Sequence, residues 1–158
     1  MDNQTQFAGF WLRFLAYLID GIIISFVEFL LVIPFLGFLG YNAAILEASQ
    51  YESLEMEVFL PVLISAGTGL YLSAFLLTWF YYALMESGPR QATVGKMALG
   101  ISVIDINGNR ISFAKASLRY FSKIISSAIF MIGFIMAGFT EKKQALHDII
   151  ASTFVVKK

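Results

Sequence analysis

The chain has 158 residues, of which 58% are hydrophobic, 16% aromatic and only 14% charged, with a mean hydropathy of +0.75. Soluble domains are usually about 45–50% apolar and about 25% charged, so this composition indicates an integral membrane protein, organised as a single domain over residues 1–158. The net charge is zero, which argues against nucleic-acid binding; no Cys and one His exclude disulfides and thiol chemistry and argue against a structural zinc site.

The first apolar run, about residues 10–40, is expected to be a transmembrane helix that is retained. Residues 1–9 carry no Lys or Arg, and the run is too long for a signal peptide's apolar core. Pro34 is expected to bend it or end it. Three charges interrupt it: Arg13, Asp20 and Glu28. Arg13 and Asp20 are seven residues apart, so they share one helical face, about 20° and about 10.5 Å from each other. Arg13 can snorkel to the inner interface. An ionised Asp20 inside the bilayer costs about 2.5–3.5 kcal/mol, so it must face protein or water, or be protonated. It reads either as an ion or proton site or as a structural partner holding helices together. Glu28 lies about 80° around and about 12 Å deeper. It is either a second step on a cation or proton path, or a carboxyl that is protonated or bonded to Tyr or Ser.

Residues 41–57 form the next segment, and the stretch 41–59 holds four Glu and no Lys or Arg. A second transmembrane helix follows over about residues 58–85. In it Ser65, Gly69 and Ser73 recur at i, i+4 and i+8, a spacing that lets helices pack closely. Tyr81 and Tyr82 fit an interfacial aromatic belt, and Glu86 then reads as a salt-bridge partner of Arg13 or as a solvated helix end.

Residues 86–123 carry Arg90, Lys96, Arg110, Lys115, Arg119 and Lys123. The excess of Lys and Arg places this segment and the N-terminus in the cytoplasm and residues 41–57 outside. The Gly95-Lys96 pair is not a nucleotide phosphate loop, because Met97 stands where Ser or Thr is required and no Gly lies five residues before Gly95. Residues 99–113 alternate apolar and polar around Asn107-Gly108, which predicts a small cytoplasmic β-hairpin closed by a type I′ turn. Ser112 reads as the N-cap of a basic amphipathic helix, expected to lie along the inner interface.

The third apolar segment, residues 124–139, is only about 24 Å of helix. It either spans or is re-entrant. Gly133 and Gly138 favour a break, which Ser122, Ser126 or Ser127 would cap. The tail, residues 140–158, carries four Lys, and a re-entrant third segment keeps it cytoplasmic. His147 beside Asp148 reads as a proton shuttle or as an ordinary capping or solvent-facing His. No nucleophile is paired with a base by a known motif, so no catalytic residue, metal site, cofactor or enzymatic activity is expected. The fold class is an all-α membrane protein: two transmembrane helices, a short third spanning or re-entrant segment, and a small β-hairpin.

The stretch 8-AGFWLRFLAYLID-20 resembles the opening signature of the RDD family of small membrane proteins, named for one Arg and two Asp. Arg13 matches the Arg, Asp20 the first Asp, and Asp148 in 146-LHDIIAST-153 the second. Thr93-Val94-Gly95-Lys96, then Gly100 to Val103 and Asn107-Gly108, look like the family's T-x-G-K…G-x-x-V…G pattern. Ser152 departs from it, standing where Gly is expected. The resemblance covers nearly the whole chain and implies transport of ligands it does not define.

Two functions follow as expectations. One is a small transporter or permeation protein of a bacterial inner membrane, exchanging cations for protons and working as a homo-oligomer. Asp20 would titrate, and Arg13 and Asp148 would pair across a cytoplasmic gate. The other is a non-transport scaffold or accessory subunit that binds a protein partner or anionic lipid.

Overall fold

The computed structural model describes residues 6–48, 56–128 and 132–158. Its contacts divide the chain into two compact units: Met1–Ile22 with Thr78–Lys158, and Ile23–Leu77. Two long helices, α1 (Phe10–Ala48) and α2 (Met56–Ser87), each contribute to both.

Both helices are apolar almost throughout, and each is long and apolar enough to cross a membrane. α1 has 39 residues, about 58 Å of helix against a hydrocarbon core of about 30 Å. Pro34, expected to bend the helix or end it, does not end it: the helix runs through it to Ala48. A proline costs a membrane helix one backbone bond, which neighbouring groups can absorb. α2 likewise contains Pro61. The expected 41–57 loop is therefore mostly helix, and what remains of it, residues 49–55, lies outside the described residues.

The second unit holds the C-terminal part of α1 and the N-terminal part of α2, and its apolar side chains point outward: Ile33 is 50% exposed and Tyr71 72%. Apolar faces of this extent are stable only under lipid or another apolar cover.

The first unit holds the remaining elements: α3 (Val94–Ala98), β1 (Ile101–Asp105), α4 (Phe113–Ala128), α5 (Ile132–Phe139), α6 (Leu146–Ile150) and β2 (Thr153–Lys157). The expected hairpin forms only in part. β1 is present, and Gly108 takes a left-handed φ of 86° in the turn after it, but Asn107 does not, so the turn is not type I′. Asp105 Oδ1 closes that turn instead, accepting the Asn107 and Asn109 N–H groups at 2.8 Å each. No second strand follows, because Ser112 starts a helix three residues after Asn109; its hydroxyl accepts the Lys115 N–H at 3.2 Å. β1 pairs instead with β2, the β-branched run near the C-terminus, antiparallel with Val103 opposite Val155.

Both sheet edges are covered, as unpaired edges must be. On the β2 side, Ala8 N–H donates to the Val155 carbonyl at 2.8 Å and Lys157 N–H to Gln6 at 2.9 Å. On the β1 side, Val103 N–H donates to the Gln91 carbonyl at 2.7 Å. The tail is thus part of the fold. Ala8, Ala16, Ala83, Ile101, Val103, Ile111, Ala116 and Val155 form the core. Ser152, in the turn before β2, has φ 53°, the left-handed region where glycine is unstrained.

The third segment is not one helix. Its first residues extend α4 to Ala128, and α5 then bends away by 103°. A Cβ on Gly133 would sit 2.7 Å from Ser126 Oγ, so glycine lets α5 rest directly on α4. Ser122, Ser126 and Ser127 do not cap this break; each hydroxyl donates to the carbonyl four residues back in its own helix.

Candidate functional site

The polar interior of the first unit falls into two adjoining parts, and each is organised by a member of the Arg/Asp/Asp trio. The first surrounds Asp20 on α1, which is 1% exposed. Its Oδ1 accepts from the Tyr81 hydroxyl and the Gly95 N–H, both at 2.7 Å, and its Oδ2 from the Thr93 hydroxyl at 2.6 Å. Thr93 and Gly95 belong to the T-x-G-K stretch that opens α3. A carboxylate accepting three bonds is the compensation that burial of this charge demands. Gly95 is glycine for a steric reason: a Cβ there would lie 2.2 Å from the Ala16 carbonyl oxygen and 3.0 Å from Asp20 Cγ. The loop can reach Asp20 only because the α1 backbone and α3 touch.

The second part is a chain of ion pairs. Arg13 donates through one terminal nitrogen to Asp148 Oδ2, through Nε to the Ala8 carbonyl at 2.8 Å, and through its other terminal nitrogen to the Lys143 carbonyl at 2.5 Å. Asp148, completely buried on α6, also takes two donors from Arg119 of α4 on Oδ1, at 2.8 and 2.5 Å. Its Oδ2 further accepts the Ala145 N–H at 3.1 Å, which caps α6. Arg119, 2% exposed, spends its remaining terminal nitrogen on Glu86 Oε2 at 2.8 Å. Glu86 Oε1 accepts from Lys96 at 2.5 Å and lies 4.0 Å from Lys123, whose ammonium sits 4.1 Å over the Tyr82 ring. One continuous sequence of charges, Arg13–Asp148–Arg119–Glu86–Lys96, therefore joins α1, α6, α4, α2 and α3.

Such a chain is costly to break rather than strongly stabilising, because removing one partner leaves a buried charge uncompensated, at about 3–5 kcal/mol. The titration of its members follows from the same balance. Burial pushes the Lys96 ammonium down and Glu86 pulls it back, leaving it at about 7. Burial pushes the Asp148 carboxyl up, but Arg119 and Arg13 outweigh it and hold it below the usual carboxylate range. His147 is 6% exposed and is driven well below its ordinary value by burial, so it is neutral at neutral pH. Its ring packs on Phe134 with centroids 5.3 Å apart. Among the described residues, His147 Nδ1 and the Tyr82 hydroxyl are buried without a hydrogen-bond partner, and no group of His and carboxylate side chains is placed to hold a metal.

Of the residues singled out from sequence, Arg13, Asp20, Glu86, His147 and Asp148 all lie in this unit. Glu86 reaches Arg119 and Lys96, so it is neither a partner of Arg13, from which Arg119 and Asp148 separate it, nor a solvated helix end, being 1% exposed. Glu28 falls in the other unit and is partly buried. Ser65, Gly69 and Ser73 also lie there, and with Phe35, Ala66 and Leu70 they line a depression of about 400 Å³. Among the described residues, a Cβ on Gly69 would meet nothing within 4 Å.

Sequence reasoning missed Arg119, Lys96, Thr93 and Tyr81 as site residues. Arg119 entered only as a loop charge, Lys96 as a loop charge and, with Thr93, as part of the T-x-G-K pattern, and Tyr81 as an interfacial aromatic. The signal for Arg119 was its helical phase: Ala116, Arg119, Ser122 and Ser126 are buried together, while Leu118, Phe121, Ile124 and Ile125 face outward. α4 is thus turned the opposite way from a helix of a soluble domain, polar side in.

No solved structure matches the chain. It is 40% identical to the uncharacterized protein YxaI of Bacillus subtilis over 96% of this chain and 97% of that protein. It is 30% identical to the uncharacterized membrane protein YteJ of the same organism, over 95% of this chain and 80% of YteJ. The human protein FAM8A1 is 26% identical over 92% of this chain, which spans 39% of FAM8A1. The family model for the RDD family matches residues 7–152, a span that includes Arg13, Asp20 and Asp148 together with the loop that meets Asp20, and the chain belongs to that family.

Proposed function

We propose that this membrane protein is a non-transport scaffold or accessory subunit, in which Arg13, Asp20 and Asp148 clasp the two ends of the chain into one rigid unit. The observation that carries this reading is the saturation of Asp20. It is 1% exposed and takes three short hydrogen bonds from Tyr81, Thr93 and Gly95. A carboxylate that exchanges cations for protons must be reached by both, whereas these donors occupy both of its oxygens. Asp148 is engaged in the same way by two guanidinium groups and a backbone N–H. Asp20→Asn and Arg13→Gln are expected to lower folded yield and melting temperature, and the native protein in proteoliposomes to give no cation-driven proton flux. Native flux that Asp20→Asn abolishes at normal yield would overturn the reading.

The transport reading has one observation of its own. The depression lined by Ser65 and Ser73 presents hydroxyls beside apolar walls, a surface suited to a small ligand. Under that reading the depression, Glu28 and a second copy of the chain would form the path, and Ser65→Leu would reduce ligand flux while leaving the melting temperature unchanged.

A further inference from the structure

The positive charge of the first unit exceeds what its own acids neutralise. All eleven Lys and Arg residues fall in this unit with six of the eleven acidic residues, and the second unit holds the other five acids and no base. The excess reaches into the ion-pair chain itself, where Arg13, Lys96, Arg119 and Lys123 share two carboxylates, Glu86 and Asp148. On α4 the cations Lys115, Arg119 and Lys123 recur at i, i+4 and i+8, a stripe about 12 Å long. Arg119 is fully matched. Lys123 is not: its contacts with Glu86 at 4.0 Å and the Tyr82 ring at 4.1 Å are not hydrogen bonds. An ammonium carries three donors, and among the described residues those of Lys123 have no acceptor. The side chain is 19% exposed.

The surroundings of this stripe are those of a membrane interface. Phe113, Leu118, Phe121, Ile124 and Ile125 turn outward on the same helix. Trp79 stacks near Phe113 and Phe121, with ring centroids 6.2 and 5.4 Å away, and its indole N–H donates to Ser117 at 3.1 Å. An indole apolar on one side and bonded on the other marks the headgroup level.

We infer that the Lys115–Lys123 stripe is a seat for the headgroup of an anionic phospholipid. The phosphate oxygens accept from Lys123 at the seam between α4 and the end of α2, and Lys115 adds charge one headgroup further out. The acyl chains lie along Phe121, Ile124 and Ile125. Those apolar side chains are why a lipid, rather than free phosphate, fits the seat. Because Lys123 lies beside Glu86, a bound phosphate also relieves the surplus of positive charge in the ion-pair chain.

The test uses the full-length protein purified in neutral detergent and offered equal amounts of phosphatidylglycerol and phosphatidylcholine. Native mass spectrometry reads which lipid stays bound, and thermal melts read the stabilisation. Phosphatidylglycerol is expected to be retained in preference, with the preference falling about fivefold in Lys123→Gln and again in the double variant with Lys115→Gln. Lys158→Gln, an exposed change away from the stripe, should keep it. Lys115→Gln alone, at the rim of the fold, carries the test should Lys123→Gln misfold. Equal retention of the two lipids, or a preference unchanged in the variants, overturns the proposal. So does an equal stabilisation by inorganic phosphate alone, which would make the stripe a simple anion site.

Discussion

Asp20 and Gly95 show why a single residue can decide this fold. Asp20 needs donors within reach, and Gly95 provides one only because nothing stands between its backbone and Ala16. Alanine at position 95 would place a methyl group 2.2 Å from the Ala16 oxygen, against helical backbone that cannot turn aside as a side chain can. α3 would have to lift away, taking the Gly95 and Thr93 bonds from a carboxylate that stays buried. Gly95→Ala is therefore expected to cost about 3 kcal/mol or more, read as lost folded yield and a lowered melting temperature in detergent. A melting temperature within error of the native one would contradict the geometry. The same pair shows how far the sequence could be read. Asp20 was visible as a charge in an apolar run, and T-x-G-K was visible as a motif. Nothing in their spacing, over seventy residues apart, said that one binds the other.

The elements repeat this pattern. α1 and α2 were legible because length and apolar character alone specify a membrane helix. The N-cap of α4 was legible because Ser112 acts on its own neighbours. The partner of β1 was not, since strand pairing is long-range: the Asn107-Gly108 turn signal favoured a local hairpin, and the partner lay near the C-terminus in what read as a basic tail. α4 was read correctly as amphipathic, but the burial of its charges was hidden because Arg119 finds its carboxylates on α2 and α6. α6, placed in that same tail, carries the clearest pH dependence. His147 has a folded value below its ordinary 6.5, so unfolding takes up a proton as the pH falls past that point, and stability drops with it. Asp148 has a folded value below its ordinary 3.8, so it adds a further loss of the same sign at lower pH. Lys96, at about 7, destabilises the fold as the pH falls from its ordinary 10.5 toward 7 and contributes little further slope below that. Between about pH 6.5 and 4 the decline belongs chiefly to His147. Melts across this range should show a falling midpoint, and His147→Gln should flatten that fall while keeping the steeper loss below about pH 4. A midpoint that rises on acidification would show that His147 is stabilised in its charged form instead.

At the scale of the whole molecule the charge partition and the strand pairing address one topology. Two of the six cations between α2 and the end of α4, namely Lys96 and Arg119, are committed to buried carboxylates, which weakens a simple count of loop charges. The partition nevertheless stands, since every basic residue lies in the first unit. The hydrogen bonds of β2 to β1 and to residues 6–8 then put residues 6–8, β2 and the loop after α2 on one side of a membrane crossed by α1 and α2. This requires an even number of crossings. α1 and α2 supply two, and the 103° bend between α4 and α5 is that of a broken span or of a re-entrant loop, of which an even count predicts the second. From the excess of Lys and Arg the positive-inside rule predicts that this side is the cytoplasm. The absence of Cys allows a direct test, because each introduced cysteine is the only thiol in the chain. Asn107→Cys and Lys158→Cys, both at exposed positions, should resist a membrane-impermeant maleimide in intact cells and react once the membrane is opened. Gln50→Cys, in the acidic stretch between the long helices, should react in intact cells. Labelling of 107 and 158 from opposite sides would rule out the pairing of β1 with β2, since strands bonded through five residue pairs cannot be separated by a bilayer.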